Sequence, residues 1–441
     1  MIYKEDMTMI LSEDLNKNLS KYENKIYSFV KKKSDDFDDS FNDSFNELKE
    51  SIMNELNIFY ELSNKTDNLS LAKKKYLHDF IHFYFKDKII EFSERIQNRK
   101  NILEKLEKLK ELKLPEQRSK EWYELREKIL TASSLADSIG EGHFSTKEKL
   151  LIQKCGGPRD KVPFEIVEWG VMYEPVATKF YELINNLTVL EFGLVPHPEF
   201  KIFGASPDGI CDIDSPDDYI GRMLEIKCPP KRQFTDEVPR HYWIQMQGQL
   251  EACNLEECDF LQVKITEYLN ETDYNEDKFI ENDRIKEGYS SLDLPKGLVI
   301  SFIKDNKEGD PTIEYEYCEF YQSYDNLIEW SEKIIQKYKD ENKIFNRIQK
   351  HWWKIERYEC NLVGRDRKWW LSVQPKIIDF WEDVLHYREV GIQELLDKKA
   401  AKKIKKIKIK KDKKSSPKKN IFEIDKAVVE KIQNDYLIDS D

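Results

Sequence analysis

The sequence predicts a fold of the α/β or α+β class, because helical and strand-like segments alternate between residues 116 and 395. Hydrophobic residues make up 39% of the 441 residues, and 23 Phe, 22 Tyr and 9 Trp suffice for at least one sizeable core. No apolar run approaches the roughly 18 residues that a membrane-spanning helix needs. We therefore expect a folded protein that has no membrane partner.

Within this class, the periodicity of apolar residues predicts the elements in order. Helices are expected at 121–140, with a break at 131–133, and at 169–184, 238–253, 323–349 and 373–397. Strands are expected at 189–195, 200–205, 222–228 and 261–268, and residues 296–303 and 312–321 are expected to pair as a hairpin. The tryptophans of KHWWKIERY and RDRKWW are expected mostly to be buried, and base stacking is the alternative.

Three regions are predicted along the chain. Residues 1–112 are expected to be a charged helical extension, with apolar residues at helical spacing. Residues 113–395 are expected to form the main domain. Residues 396–441 are expected to be a disordered tail, since 398–419 hold 13 lysines and one aspartate. A nucleic-acid arm and a nuclear import signal are the alternatives for this tail.

Charge and cysteine content narrow the functional classes. The net charge of −12 argues against a protein that simply coats nucleic acid. Seven cysteines occur without a CxxC pair, so neither a disulfide framework nor an iron–sulfur cluster is expected. A reducing, intracellular compartment is expected instead. The HDFIH motif at 78–82 resembles a zinc motif only superficially, since Asp replaces its Glu.

Two fragments, GASPDGI and MLEIKCPPK, place charged residues where a core is expected. Asp208 lies between Pro207 and Gly209, which favours a sharp turn. Glu225 and Lys227 are two residues apart, so on a strand they share one face. The alternative interpretation is an ordinary ion pair on a solvated face of the sheet.

These residue types suit a divalent cation. Two carboxylates and a backbone carbonyl are the oxygen ligands that Mg²⁺ prefers, and Mn²⁺ is an alternative ion. A lysine beside such an ion can orient or deprotonate a water molecule. The chemistry predicted from Asp208, Glu225 and Lys227 is therefore attack of water on a phosphodiester.

The same residues match the PD-(D/E)XK nuclease signature, with Pro207 and Asp208 followed by Glu225, Ile226 and Lys227. Four blocks resemble the phage lambda exonuclease-like viral recombinase family in order and spacing. The blocks are W-x-x-L-R-x-x-x-x-T-A-S from Trp122, W-G-x-x-Y-E-P-x-A from Trp169, S-P-D-G with L-E-I-K-C-P from Ser206, and Y-x-x-Q-x-Q-x-Q-L from Tyr242. The resemblance implies a restriction-endonuclease-like core, in which helices flank a central mixed sheet.

The resemblance also implies roles for single residues. Asp208, Glu225 and the carbonyl of Ile226 would bind the metal, and Lys227 would act on the water. Glu174 would complete the acidic cluster at a second metal ion; an ordinary acid on a helix surface is its alternative.

Three further residues receive roles from the resemblance. Gln245 would support the lysine or the water, although a surface glutamine is its alternative. Arg126 and Ser133 would bind the 5′ phosphate of the strand being degraded. The guanidinium fork and a hydroxyl at a helix start suit a phosphate, whereas an ion pair with an acid is the alternative for Arg126.

The function implied is that of a metal-dependent DNA nuclease, expected to be a 5′→3′ exonuclease on duplex ends in viral recombination or replication. The expected partners are duplex DNA ends, with a single-strand annealing protein and a homo-oligomeric ring left open. The host cytoplasm, at a viral factory, and the nucleus are the expected locations. A structure-specific or restriction-like endonuclease is one alternative, and a non-catalytic DNA-binding or virion protein is another.

Overall fold

The computed structural model describes residues 97–398, with gaps at 159–163, 231–233, 235–236, 308–309, 342 and 344, and the isolated residues 27, 28, 51, 88, 91 and 94. Most of the predicted helical extension therefore lies outside the described residues. So do the HDFIH motif at 78–82 and the lysine tail after residue 398. The domain boundary at 112/113 stays a prediction.

The helices occur largely where periodicity predicts them. In chain order they are α1 (97–110), α2 (Lys120–Lys128), α3 (Leu135–Ser138), α4 (Lys147–Lys154), α5 (Phe164–Asn185), α6 (Arg240–Cys253), α7 (Glu271–Glu276), α8 (Tyr324–Asp340), α9 (Arg367–Val390) and α10 (393–398). The predicted break at 131–133 is a short strand and a 3₁₀ turn, Ala132–Ser134. Among the described residues, none of these helices has both the length and the apolar surface to cross a membrane.

The strands build one large sheet and two small ones. They are β1 (Leu130–Thr131), β2 (Val189–Leu190), β3 (Val195–Pro196), β4 (Phe203–Ala205), β5 (Gly209–Cys211), β6 (Met223–Lys227), β7 (Glu257–Glu267), β8 (Phe279–Glu281), β9 (Arg284–Lys286), β10 (Lys296–Lys304), β11 (Thr312–Tyr317) and β12 (Arg347–Gly364). The large sheet has the order β11-β10-β12-β7-β6-β5-β2. Its β6 and β7 are parallel and its other pairs antiparallel, so the predicted mixed sheet within an α/β fold is confirmed.

The sequence prediction is wrong chiefly at strand β12, which it did not foresee. A helix was expected to continue to residue 349, whereas α8 ends at Asp340 and β12 begins at Arg347. β12 pairs with β10 and β7 over most of its 18 residues, and these partners lie far away in the sequence. Trp352 and Trp353 are buried on it, so they pack in the core and do not stack bases.

Helices cover both faces of the large sheet. Helix α5 packs its apolar side against one face, where Leu224 and Ile226 of β6 lie. Helices α1 and α6 pack against the opposite face, where Met223 lies. The prediction that Leu224 and Ile226 face a core is confirmed, but the other side of β6 is covered as well. The side chains of Glu225 and Lys227 therefore point towards a helix and not towards open solvent.

The parallel pair β6 and β7 explains the position of α6. Parallel neighbours need a crossover connection, and a helix is the usual one. Here α6, which follows β6 in the chain, provides this crossover and packs against the sheet. Its buried Gln247 donates from Nε2 to the carbonyl of Gly364 at 2.8 Å and accepts from the amide of Asp366 at 2.6 Å. These bonds hold α6 against the end of β12.

A buried ion pair secures the C-terminal end of α6. Arg365 donates from Nε to Oε1 of Glu251 at 2.7 Å, and its Nη2 forms a second, short bond to Oε2. The side chains are 5% and 7% exposed, respectively. Removing one partner of such a pair leaves an uncompensated charge in the core.

We predict that Arg365→Met lowers the free energy of unfolding by about 3–5 kcal/mol, because it leaves the buried Glu251 carboxylate without its counter-charge. Urea denaturation followed by circular dichroism measures the change. Arg347→Met is the matched control, since Arg347 pairs with Asp305 at the surface and should lose only about 0–1 kcal/mol. Equal losses in the two variants would contradict the prediction.

Candidate active site

The turn before β5 places Asp208 beside β6. Gly209 pairs with Leu224 and Ile210 with Met223, so the same antiparallel register continued by one residue sets Asp208 opposite Glu225. The amide of Ile226 donates to Oδ2 of Asp208 at 2.7 Å and fixes the carboxylate. Gly209 is required here, because a Cβ at this position would lie 2.1 Å from Cγ1 of Val189. Asp208 therefore faces β6 because of the turn, the space left by Gly209 and the strand register.

Glu225 is wholly buried, so its charge depends on the donors around it. Gln245 donates from Nε2 to Oε1 at 2.7 Å, and Gln249 donates from Nε2 to Oε2 at 2.7 Å. Lys227 adds a short charged bond to Oε1. Both amides come from α6, where a spacing of four residues puts them on one face.

The Lys227 ammonium lies between the three groups predicted to bind a metal ion. Besides its bond to Glu225, its Nζ donates to the carbonyl of Ile226 at 3.0 Å and lies 4.0 Å from Oδ2 of Asp208. A cationic nitrogen thus occupies a position that two carboxylates and a carbonyl surround. This donor set fits a hard divalent cation.

Glu174 reaches the same region from α5 and pairs with Arg118. The Arg118 Nη2 lies 3.3 Å from Oε2 and 3.4 Å from Oε1 of Glu174. Glu174 interacts electrostatically with both Glu225 and Lys227. Among the described residues, no three His, Cys, Asp or Glu side chains already converge closely enough to hold a metal ion.

The pKa values of Asp208 and Glu174 are raised, first by burial and then by nearby negative charge. Burial, together with the charge of Glu225, holds the pKa of Asp208 well above its ordinary value, although Lys227 opposes the shift. Burial also raises the pKa of Glu174, against the opposing charges of Arg118 and Lys227. Although burial disfavours the ammonium, Glu225 and Asp208 raise the pKa of Lys227 above its ordinary value. The site therefore favours cations, and Lys227 is charged in the absence of a metal.

Arg126 and Ser133 come together at a distance from this cluster. Arg126 donates from Nη2 to Oγ of Ser133 at 3.0 Å, and its guanidinium lies 4.3 Å from the centre of the Trp122 ring. Trp122 in turn donates from Nε1 to Oγ of Ser206 at 3.0 Å, two residues before Asp208. A buried tryptophan thus links this pair to the acidic cluster. Ser133 lies in the 3₁₀ turn and not at the start of a long helix.

Two cavities meet at Arg118. One, of about 1000 Å³, is lined by Arg126, Lys154 and Arg388 among others. The second, of about 750 Å³, is lined by Glu174 and Asp208. Arg118 lines both cavities. A basic cavity and an acidic cavity therefore adjoin, as a phosphate-bearing substrate and a cation together would require.

The structure therefore brings together Asp208, Glu225, Ile226, Lys227 and Gln245, with Glu174 at the rim, and it pairs Arg126 with Ser133 separately. Their catalytic and binding roles stay predictions.

Sequence reasoning missed two residues of the site. Gln249 contacts Glu225 as directly as Gln245 does, and its spacing of four from Gln245 on a helix was the signal. Arg118 carried no signal, since it lies in a loop with a positive φ of 67° and meets Glu174 only through folding.

A second constellation resembles a hydrolytic triad but lacks access. Ser301 Oγ lies 2.9 Å from Nε2 of His351, and His351 Nδ1 lies 3.1 Å from Oε1 of Glu267. Tyr173 also donates to Glu267, at 2.7 Å. Ser301 is 0% exposed, so no substrate can reach its hydroxyl. We interpret the group as a polar network that ties β10, β12 and β7 together.

Comparison with known proteins supports the prediction from the motifs. Residues 121–256 match the sequence model of the YqaJ-like viral recombinase domain. Over this segment the chain is similar to that domain. The predicted family is thereby confirmed for this segment, which contains every predicted site residue from Arg126 to Gln245.

Two proteins with similar sequences are viral. An uncharacterised protein of Acanthamoeba polyphaga mimivirus is 31% identical over 311 residues, which cover 65% of this chain and 55% of that protein. A protein of African swine fever virus is 24% identical over 160 residues, 31% of this chain and 46% of that protein. The chain thus spans about half the length of these two relatives. The solved alkaline exonuclease of Laribacter hongkongensis has a TM-score of 0.33 at 18% identity, covering 64% of this chain and 99% of that one.

We predict that Mn²⁺ or Mg²⁺ raises the melting temperature of the wild-type chain, because the cation relieves repulsion among the carboxylates. At 100 times the dissociation constant, binding should add about 2.7 kcal/mol of stability. Asp208→Asn should not gain this stability from the metal. In EDTA it should be as stable as wild type, because burial already disfavours the charged form of the Asp208 carboxyl. Differential scanning fluorimetry measures both.

Asp293→Asn is the control for this titration, because Asp293 pairs with Lys286 at the surface. Asp293→Asn should show the same rise in melting temperature on addition of the metal as wild type. If Asp208→Asn gained as much from the metal as the wild type, Asp208 would not be a ligand.

Proposed function

We propose that this chain is a metal-dependent DNA nuclease that hydrolyses phosphodiesters. The observation that carries the proposal is the buried cluster of Asp208, Glu225 and Lys227 at the junction of β5 and β6. Burying an acid at the centre of a sheet costs stability, so a site without chemistry gains nothing from it. This cost argues against a non-catalytic DNA-binding or virion protein.

Mg²⁺, or Mn²⁺, would be held by Asp208, Glu225 and the carbonyl of Ile226, with Glu174 nearby. Such an ion, when bound, polarises the phosphoryl oxygens and makes a coordinated water easier to deprotonate. The chain supports this with fixed ligands: the amide of Ile226 orients Asp208, and two glutamine amides orient Glu225. A ligand that cannot rotate loses little entropy on binding.

Lys227 would hold and orient the attacking water or deprotonate it. Its amine leaves strand β6 on the same side as Glu225, and the Lys227 side chain is 25% exposed. Gln245 shares the Glu225 oxygen that Lys227 contacts, so it supports the lysine indirectly. Gln249 takes the other oxygen and prevents the carboxylate from turning.

A 5′→3′ exonuclease on duplex ends is the specific activity that we propose. Arg126 lines the basic cavity and bonds to the hydroxyl of Ser133. A guanidinium and a hydroxyl in this position can bind a terminal phosphate. The Trp122 bond to Ser206 would keep that phosphate at a constant distance from Asp208. Such an enzyme leaves a 3′ single strand for recombination or replication.

The proposed partners follow from this activity. Duplex DNA ends are the substrate, and a single-strand annealing protein would use the product. The viral relatives suit an infected host cell, either at a cytoplasmic viral factory or in the nucleus.

We predict that Lys227→Ala lowers the rate of DNA hydrolysis by about 100-fold or more, which is the usual contribution of a proton-transfer group. Linear duplexes labelled at either end, incubated with Mg²⁺, give both the rate and the polarity. Lys179→Ala is the control, since Lys179 lies on the exposed side of α5 and pairs with Glu182. If Lys227→Ala and wild type degraded DNA equally, the proposal would fail.

Covalently closed circles separate this activity from the restriction-like or structure-specific endonuclease. An exonuclease needs an end and leaves circles intact, whereas cleavage of circles would favour the endonuclease.

We predict that Arg126→Gln removes the preference for a 5′ phosphate. Its rate on ends with a 5′ phosphate should fall about tenfold or more, because the variant loses a hydrogen bond to a charged group. Its rate on ends with a 5′ hydroxyl should change little. Arg347→Gln, at a surface ion pair, is the control. A uniform loss on both substrates would instead indicate a structural role for Arg126.

A further inference from the structure

A continuous series of aromatic rings leads from the candidate active site to the protein surface. We call the rings of Phe144, His143, His241 and Tyr242 the aromatic ladder. The ring centroids of Phe144, His143 and His241 form a triangle, 4.7 Å from Phe144 to His143, 4.8 Å from His143 to His241 and 5.1 Å from Phe144 to His241. The Tyr242 ring follows, with its centroid 4.1 Å from that of His241. At the inner end, Nζ of Lys227 lies 5.3 Å from the centre of the Tyr242 ring. The ladder therefore joins the surface to the amine of the acidic cluster.

Exposure increases along the ladder towards its outer end. Lys227 and Tyr242 are partly buried, whereas His143 is exposed and Phe144 is 73% exposed. A large apolar ring in this position contributes little to the core. Its outer surface is available to a flat, apolar ligand.

The loop that carries the outer rings, residues 140–146, is held closely against α3. A Cβ on Gly142 would lie 2.0 Å from Oδ1 of Asp137, so only glycine permits this approach. The amide of Glu141 donates to the carbonyl of Ala136 at 2.8 Å. The exposed ring of Phe144 is thus presented by a packed loop, which lowers the entropy cost of binding.

A cation lies beside the ladder at the start of α6. The Arg240 guanidinium lies 4.3 Å from the Trp243 ring centre and 5.4 Å from that of Trp369, and its Nε pairs with Glu141 at 3.1 Å. The Arg240 side chain is 51% exposed. Stacking rings next to an exposed guanidinium are the combination that binds single nucleic-acid strands.

We propose that the aromatic ladder is a stacking surface for the nucleobases that flank the phosphodiester at the candidate active site. Every nucleobase has a π-face, so such a surface accepts any sequence. The proposal rests on the proposed function for the position of the DNA, and it adds a separate surface for the bases. If the rings only packed the loop against α6, binding would not depend on the bases.

The test uses the full chain in EDTA, so that hydrolysis does not interfere. The probe is a 5′-phosphorylated duplex with 2-aminopurine at the two terminal positions of that strand, whose emission reports stacking. Phe144→Ala should bind this duplex about tenfold more weakly than wild type and lose its change in emission. Phe144→Leu, which keeps apolar bulk without a π-system, should behave like Phe144→Ala, whereas Phe144→Trp should restore binding.

Two controls keep the result specific. Leu269→Ala changes a side chain that is 95% exposed, and it should bind as wild type does. On a duplex whose terminal nucleotides are abasic, wild type and Phe144→Ala should bind equally. Unchanged affinity in Phe144→Ala, or the same loss on intact and abasic ends, would overturn the proposal.

Parallel digestion with Mg²⁺ separates this inference from the proposed function. If wild type cleaves DNA but Phe144→Ala binds and stacks normally, the stacking surface is wrong and the nuclease stands. If wild type shows the base-dependent binding but no cleavage, the nuclease is wrong and the stacking surface stands.

Discussion

The buried charge of Glu225 is the constraint on which the candidate site depends. A carboxylate at the centre of a sheet is tolerated only when donors and a counter-charge surround it. The chain supplies the Lys227 ammonium from the same strand and the amides of Gln245 and Gln249 from α6. Satisfying one carboxylate therefore sets the position of α6 relative to β6, and the rest of the site follows from that placement.

The same constraint explains why the site attracts cations. Asp208 and Glu174 add negative charge around Glu225, and burial, together with the charge of Glu225, raises the pKa of both side chains. Lys227 compensates part of that charge by occupying the centre of the oxygen donors. The proposed divalent ion would relieve the repulsion among these acids. The hydrogen bonds of α6 and β6 hold them in place without it.

The surroundings of the cluster are asymmetric. Arg118 borders a basic cavity on one side and an acidic cavity on the other, and it neutralises Glu174 between them. The aromatic ladder leads away from Lys227 towards Phe144. Phosphate, cation and base would therefore meet different chemical surfaces, each provided by a different loop or helix attached to one sheet.

Local periodicity determined much of this from the sequence alone. The two-residue spacing of Glu225 and Lys227 puts both on one face, because the geometry of a strand fixes those directions. The four-residue spacing of Gln245 and Gln249 held a similar signal on a helix, but only the structure identified Gln249 as a contact of Glu225. Only the tertiary structure decided that β12 is a strand, that Asp208 lies opposite Glu225, and that Arg118 meets Glu174. Those contacts join segments distant in sequence, and their free energy comes from packing and register that no short stretch of residues encodes.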